Sequence, residues 1–129
     1  MSERRRIPPL SAFEEEIGFT RAVRAGDRIL VSGMTATMPD GSVPPEAGAQ
    51  AELCFAQIVR HVEELGGQAE DVVRVRMFVT DMGDADAVSA AFSRALKPAR
   101  PAATLVAVAA LYRPEWKVEI EAEAVVQTR

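Results

Sequence analysis

Hydrophobic and polar positions along the chain change period several times, and each change marks an element. Phe19 to Val23 and Arg28 to Ser32 are β-compatible and flank Arg24-Ala25-Gly26-Asp27, where Gly26 suits a tight connection, so a hairpin is expected. Gly33 to Gly48 holds three glycines and three prolines (Pro39, Pro44, Pro45), which suits a loop with at most a short edge strand. Between Glu46 and Leu65, Ala51, Cys54, Phe55, Ile58, Val62 and Leu65 recur every three or four residues, as on one apolar stripe of a helix closed by Gly66-Gly67. Val72 to Thr80 alternates Val73, Val75, Met77 and Val79 against Val72, Arg74, Arg76, Phe78 and Thr80, a strand whose first set forms a fully apolar face. Asp84 stands at an N-cap position before Val88, Ala91, Phe92, Ala95 and Leu96, and Pro98 closes this second helix. Two more strands follow, Ala103 to Leu111 and Lys117 to Val126, joined through Tyr112-Arg113-Pro114-Glu115.

The order β-β-(β)-α-β-α-β-β describes a single α/β (α+β) domain with no internal repeat. Two helices cover one face of a sheet of five or six strands, so the other face must meet solvent, ligand or another chain. That face mixes apolar and ionisable side chains, which favours packing between subunits.

Length and composition agree with one core. The 129 residues are 48% hydrophobic and 26% charged, an ordinary globular balance. No apolar run approaches the roughly 20 residues that span a bilayer. The start, Met1-Ser2-Glu3-Arg4-Arg5-Arg6, is basic but lacks the apolar stretch of a signal peptide, and residues 1–16 read as a flexible arm before a domain over 17–129. Cys54 is the single cysteine, which rules out an internal disulfide and a thiolate metal cluster and suggests a cytoplasmic home. The net charge of -4, thirteen scattered arginines and seven aromatic residues make no basic stripe or stacking platform for nucleic acid.

Candidate chemistry is sparse. Glu119, Glu121 and Glu123 alternate along the last strand about 7 Å apart, a row that is either a solvated face opposite Lys117 and arginines or a source of perturbed carboxyls. Asp81, Asp84 and Asp86 lack the spacing of a calcium loop and are explained by helix capping. His61, the sole histidine, has no second ligand to complete a metal site and reads as a partly covered structural residue. Ser32-Gly33 ends a strand without a nucleophile elbow, although backbone amides there suit a carbonyl or carboxylate oxygen. No phosphate-binding glycine motif occurs.

Four segments in order, FTRAVRAGDRILVSG (19–33), DVVRVRMFVTDMGDADAV (71–88), RPAATLVAVAAL (100–111) and VEIEAEAV (118–125), resemble the RidA (YjgF) family of reactive intermediate deaminases. The resemblance spans residues 17–126. It implies a chorismate-mutase-like domain, a five- to six-stranded mixed sheet with two helices on one face, assembled as a homotrimer with ligand clefts between subunits. It further implies hydrolysis of imines or enamines by an activated water, with an arginine clamping the substrate carboxylate and no metal or organic cofactor. The family pattern R-P-A-R-S carries that arginine at its fourth position, where this chain has Ala103, a loss of about 3–5 kcal/mol of differential binding. The chain thus resembles an arginine-lacking branch.

Carried over position by position, the resemblance makes Glu119 the residue that holds the water or polarises the imine nitrogen. It places Phe19, Ser32, Gly33, Ser89, Ala103, Thr104, Leu105 and Tyr112 around the ligand, with Phe19 where the family has tyrosine and Ser89 where it has asparagine. Three readings stay open. One is a trimer that binds, with or without hydrolysing it, a small imine- or enamine-type molecule that is neutral or lacks an α-carboxylate. Another is a 2-imino acid deaminase whose clamp is Arg21, Arg100 or Arg113. The third is a non-catalytic binding or chaperone-like trimer. Ribonuclease activity has no support in the basic or histidine content.

Overall fold

A computed structural model of the chain describes residues 3–127. Six strands, β1 (Arg4–Arg6), β2 (Ala22–Ala25), β3 (Arg28–Met34), β4 (Val72–Val79), β5 (Ala102–Ala107) and β6 (Val118–Val125), form one sheet in the order β1-β2-β3-β6-β4-β5. All neighbours are antiparallel except the parallel pair β4 and β5, so the sheet is mixed. The helices are α1 (Ala12–Ile17), α2 (Ala47–Glu64) and α3 (Ala85–Leu96). The last strand in sequence thus enters the middle of the sheet, between β3 and β4.

The period-two pattern of β6 explains its central place. Val118, Ile120, Ala122 and Ala124 are all buried on the helix side, where Ile29, Val31, Val75 and Val79 join them against Phe55, Ile58 and Val62 of α2. Glu119, Glu121 and Glu123 therefore all point to the opposite, open face. On β4 the expected apolar face is shifted at its start. A register irregularity between Val72 and Arg74 turns Val72 inward and leaves Val73 exposed, because an extra residue in a strand reverses the alternation on one side of it.

Residues 4–6 are an edge strand paired with β2 in register Arg4↔Ala25 to Arg6↔Val23, where a flexible arm was expected. What pins them is polar rather than apolar. Arg5 and Arg24 each donate to the Leu65 carbonyl at 2.8 Å, two cations on the negative C-terminal end of α2. Residues 35–46 contain no strand. Buried Gln50 holds this loop and the one before β6, donating to the Pro44 and Glu115 carbonyls and accepting from the Lys117 amide.

Candidate functional site on the open sheet face

The site begins with an irregularity. Between Val31 and Met34, β3 has one residue more than β6 has between Ala122 and Ile120, so Ser32 and Gly33 together oppose Glu121 in a bulge. Ser32 is tied down by its own groups, its hydroxyl donating to the Thr20 carbonyl at 2.6 Å and its amide to the Arg21 carbonyl at 2.9 Å. Gly33 leaves room for Glu119, since a Cβ there would stand 2.9 Å from the Glu119 Cδ and closer still to its Oε2.

The glutamate row then divides. Glu123 meets Arg28 at 3.5 Å and Arg76 at 3.6 Å, and Glu121 meets Arg76 at 3.8 Å. Glu119 faces Phe78 across the ladder and has no ion pair among the described residues. Partial burial, and secondarily the Glu121 charge, raise its pKa above the ordinary carboxylate value. One carboxyl of three is thus set apart from the ion pairs, next to a glycine.

On the same open face, past Ser32, lies a cavity of about 710 Å³ lined by Phe19, Ser32, Leu30 and Glu121, with the exposed Arg4 and Arg6 at its sheet-edge end; Glu119 is not among its lining residues. Phe19 meets Phe13 edge-to-face at 5.9 Å, and Phe13 meets Tyr112 at 6.2 Å, so the three rings form one cluster of which Phe19 lines the cavity. Phe19 and Tyr112 are thereby joined through Phe13, which the sequence reading did not single out. Arg4 and Arg6 were also missed. Their only signal was the unbroken arginine run, in which period two would put the first and third on one side.

The remaining candidates lie elsewhere in a single chain. Ala103, Thr104 and Leu105 sit on β5, the far edge, three strand spacings or about 14 Å from β3. Thr104 pairs with Arg76 and so shares the open face, whereas Ala103 and Leu105 pair with Val75 and Met77 on the helix side, Leu105 packing against the core. Ser89 is exposed on α3. Of the arginines weighed as a clamp, Arg21 is held by Glu14 at 3.3 Å and lies over the Phe19 ring, and Arg113 is held by Glu115 at 2.8 Å and stacks on Trp116. Arg100 is exposed with φ +48°, at the turn into β5. No trio of His, Cys, Asp or Glu is grouped to hold a metal among the described residues, nor is any of their helices long and apolar enough to cross a membrane.

This fold recurs in known proteins. The chain superposes with a TM-score of 0.88 on the crystal structure of Rv2704 from Mycobacterium tuberculosis, a member of the YjgF/YER057c/UK114 family, at 33% identity over 96% of this chain and 100% of that one. It is 36% identical to the uncharacterized protein SCO2049 of Streptomyces coelicolor over 93% of this chain and 90% of that protein. It is 34% identical to the 2-iminobutanoate/2-iminopropanoate deaminase of Escherichia coli, over 83% of this chain and 86% of the enzyme. Residues 10–126 match the endoribonuclease L-PSP family, and with these relatives they make the chain a member of that family, to which the RidA and YjgF proteins belong.

Proposed function

We propose that the chain forms a homotrimer whose clefts between neighbouring copies bind a small imine or enamine metabolite lacking an α-carboxylate, and that Glu119 promotes its hydrolysis. The observation that carries this reading is the isolation of Glu119, the one carboxyl of its row left without a cation, half-buried against Phe78 and given its place by Gly33. In the step envisaged, Glu119 takes a proton from water as the oxygen adds to the C=N carbon. It passes that proton to nitrogen, giving a carbinolamine, and then relays the carbinolamine hydroxyl proton to the same nitrogen as the C–N bond breaks and C=O forms, releasing ammonia and a carbonyl compound.

Two further facts support the reading. Ser32 on β3 lies about 14 Å from the β5 edge that carries Ala103 and Thr104, so a site using both would draw on the β5 edge of another copy. The deaminase relative in Escherichia coli supplies the reaction class. At the position of the family's clamp, Ala103 offers a methyl group, which cannot hold a carboxylate.

The test is ammonia release from imines generated in situ, comparing 2-iminopropionate with imines that carry no α-carboxylate, alongside light scattering for mass. Turnover of the latter class, lost by about 100-fold or more in Glu119→Gln, is expected from a particle of three chains. Turnover of 2-iminopropionate at rates typical of arginine-bearing relatives, or full activity in Glu119→Gln, would sink the reading.

A further inference from the structure

The edge strand β1 carries three arginines with two different fates. Period two puts Arg5 on one side, where it donates to the Leu65 carbonyl, and Arg4 and Arg6 together on the other, where both line the 710 Å³ cavity. Neither Arg4 nor Arg6 makes a salt bridge or side-chain hydrogen bond among the described residues. The two carboxylates on the same cavity wall, Glu121 and Glu123, pair instead with Arg76 and Arg28. An acidic chain of net charge -4 thus places two uncompensated guanidiniums at one end of a cavity whose middle is apolar, with Phe19, Val23 and Leu30.

We propose that Arg4 and Arg6 bind the carboxylate of a ligand whose apolar body lies on Phe19, Val23 and Leu30, which makes it a carboxylate carried on an apolar chain or ring. This rests on the reading that the open face holds the ligand, and adds where its charge lies. Two guanidiniums at alternate positions of one strand lie about 7 Å apart at the backbone and converge on one anion through their long side chains. In register Arg6 stands level with Val23 and Leu30, and Arg4 with Ala25 and Arg28, so the pair borders the apolar middle of the cavity.

Calorimetry on the assembled protein at low salt, with 4-phenylbutyrate and its neutral counterpart 4-phenyl-1-butanol as probes and inorganic phosphate as a third ligand, tests this. The carboxylate is expected to bind at least tenfold more tightly than the alcohol, and more tightly than phosphate, which has no apolar body to seat on Phe19. The double variant R4Q/R6Q should bring the two organic probes within about twofold of one another. R74Q, which removes an arginine of the open face outside the cavity, should preserve the difference, and thermal melting of each variant reports that the fold is intact. Equal affinities in the wild type, a preference that survives R4Q/R6Q, an equal loss in R74Q, or phosphate binding as tightly as the carboxylate would each overturn the proposal. A protein that shows the preference but hydrolyses no imine upholds Arg4 and Arg6 while removing the catalytic role of Glu119.

Discussion

Gly33 and Glu119 occupy the same space by turns: the carboxyl group of Glu119 lies where a side chain of residue 33 would have to be. The bulge on β3 creates the place and the absence of a Cβ keeps it open.

Gly33→Ala is therefore expected to move the Glu119 carboxyl and little else, since the atoms displaced are the free end of a flexible side chain. Stability should fall by less than about 1 kcal/mol, while any turnover drops tenfold or more. Chemical denaturation and the ammonia-release assay separate the two effects. A large stability loss with turnover retained would contradict the arrangement.

The raised pKa of Glu119 has a consequence for stability. A carboxyl whose folded pKa lies above its unfolded value binds more protons when folded, so its contribution is present at low pH and is lost as pH rises through the folded pKa. Glu119→Gln should thus equal or exceed the wild type in stability at pH 7.5, by at most about 1 kcal/mol. That advantage should vanish below pH 4.5. Carbon-13 titration of the side chain reads the same property directly, and an ordinary carboxylate midpoint would remove it.

Cys54 lies fully buried in α2, its Sγ donating to the Met34 carbonyl at 3.2 Å. Burial, with the Glu119 charge adding, pushes the thiol up to about 12. At pH 8 a disulfide reagent should modify the native protein on the order of 10³-fold more slowly than an exposed thiol, and one group per chain should react at once in denaturant. Rapid native labelling would mean that α2 opens far more readily than its packing implies.

His61 is buried with neither ring nitrogen hydrogen-bonded among the described residues. Burial holds its pKa below the ordinary 6.5, with nearby charges of both signs contributing less. The unfolded chain accordingly binds the extra proton first, and stability should decline as pH falls below about 6.5, levelling off under the folded pKa. His61→Leu removes two unpaired polar atoms, so it should be within about 1 kcal/mol of the wild type at pH 7 or above it. Its melting temperature should be flatter between pH 7 and pH 5. A steep loss of stability at both pH values would show that His61 has a partner worth keeping.

Glu14 makes the opposite prediction. Burial would raise its pKa, but hydrogen bonds from the Leu10 and Ser11 amides at 2.8 and 2.9 Å and the Arg21 ion pair lower it overall. Its contribution is present above the unfolded carboxyl pKa and lost as pH falls through the folded one. Glu14→Ala should cost about 2 kcal/mol at pH 7 by freeing α1 and the Arg21 guanidinium, and less at pH 3. An unchanged melting temperature at pH 7 would contradict this.

The sequence by itself determined those elements whose burial depends on period alone. The apolar stripe of α2 and the alternation of β6 were legible because each buried residue follows from its neighbours' spacing, and the open face followed from counting two helices against the strands. Val73 was misread because one bulge inverts the alternation, and nothing local marks it. β1 was invisible for a related reason: Arg4, Arg5 and Arg6 have no apolar pattern, and the bonds that hold them run to Ala25, Val23 and Leu65, distant in sequence. Tertiary structure alone decided which of three equivalent glutamates stands apart. Insertion of β6 between β3 and β4 sets Arg28 and Arg76 beside Glu121 and Glu123 but leaves Glu119 between Gly33 and Phe78, and charge partners across strands are a matter of register, which no stretch of a single strand encodes.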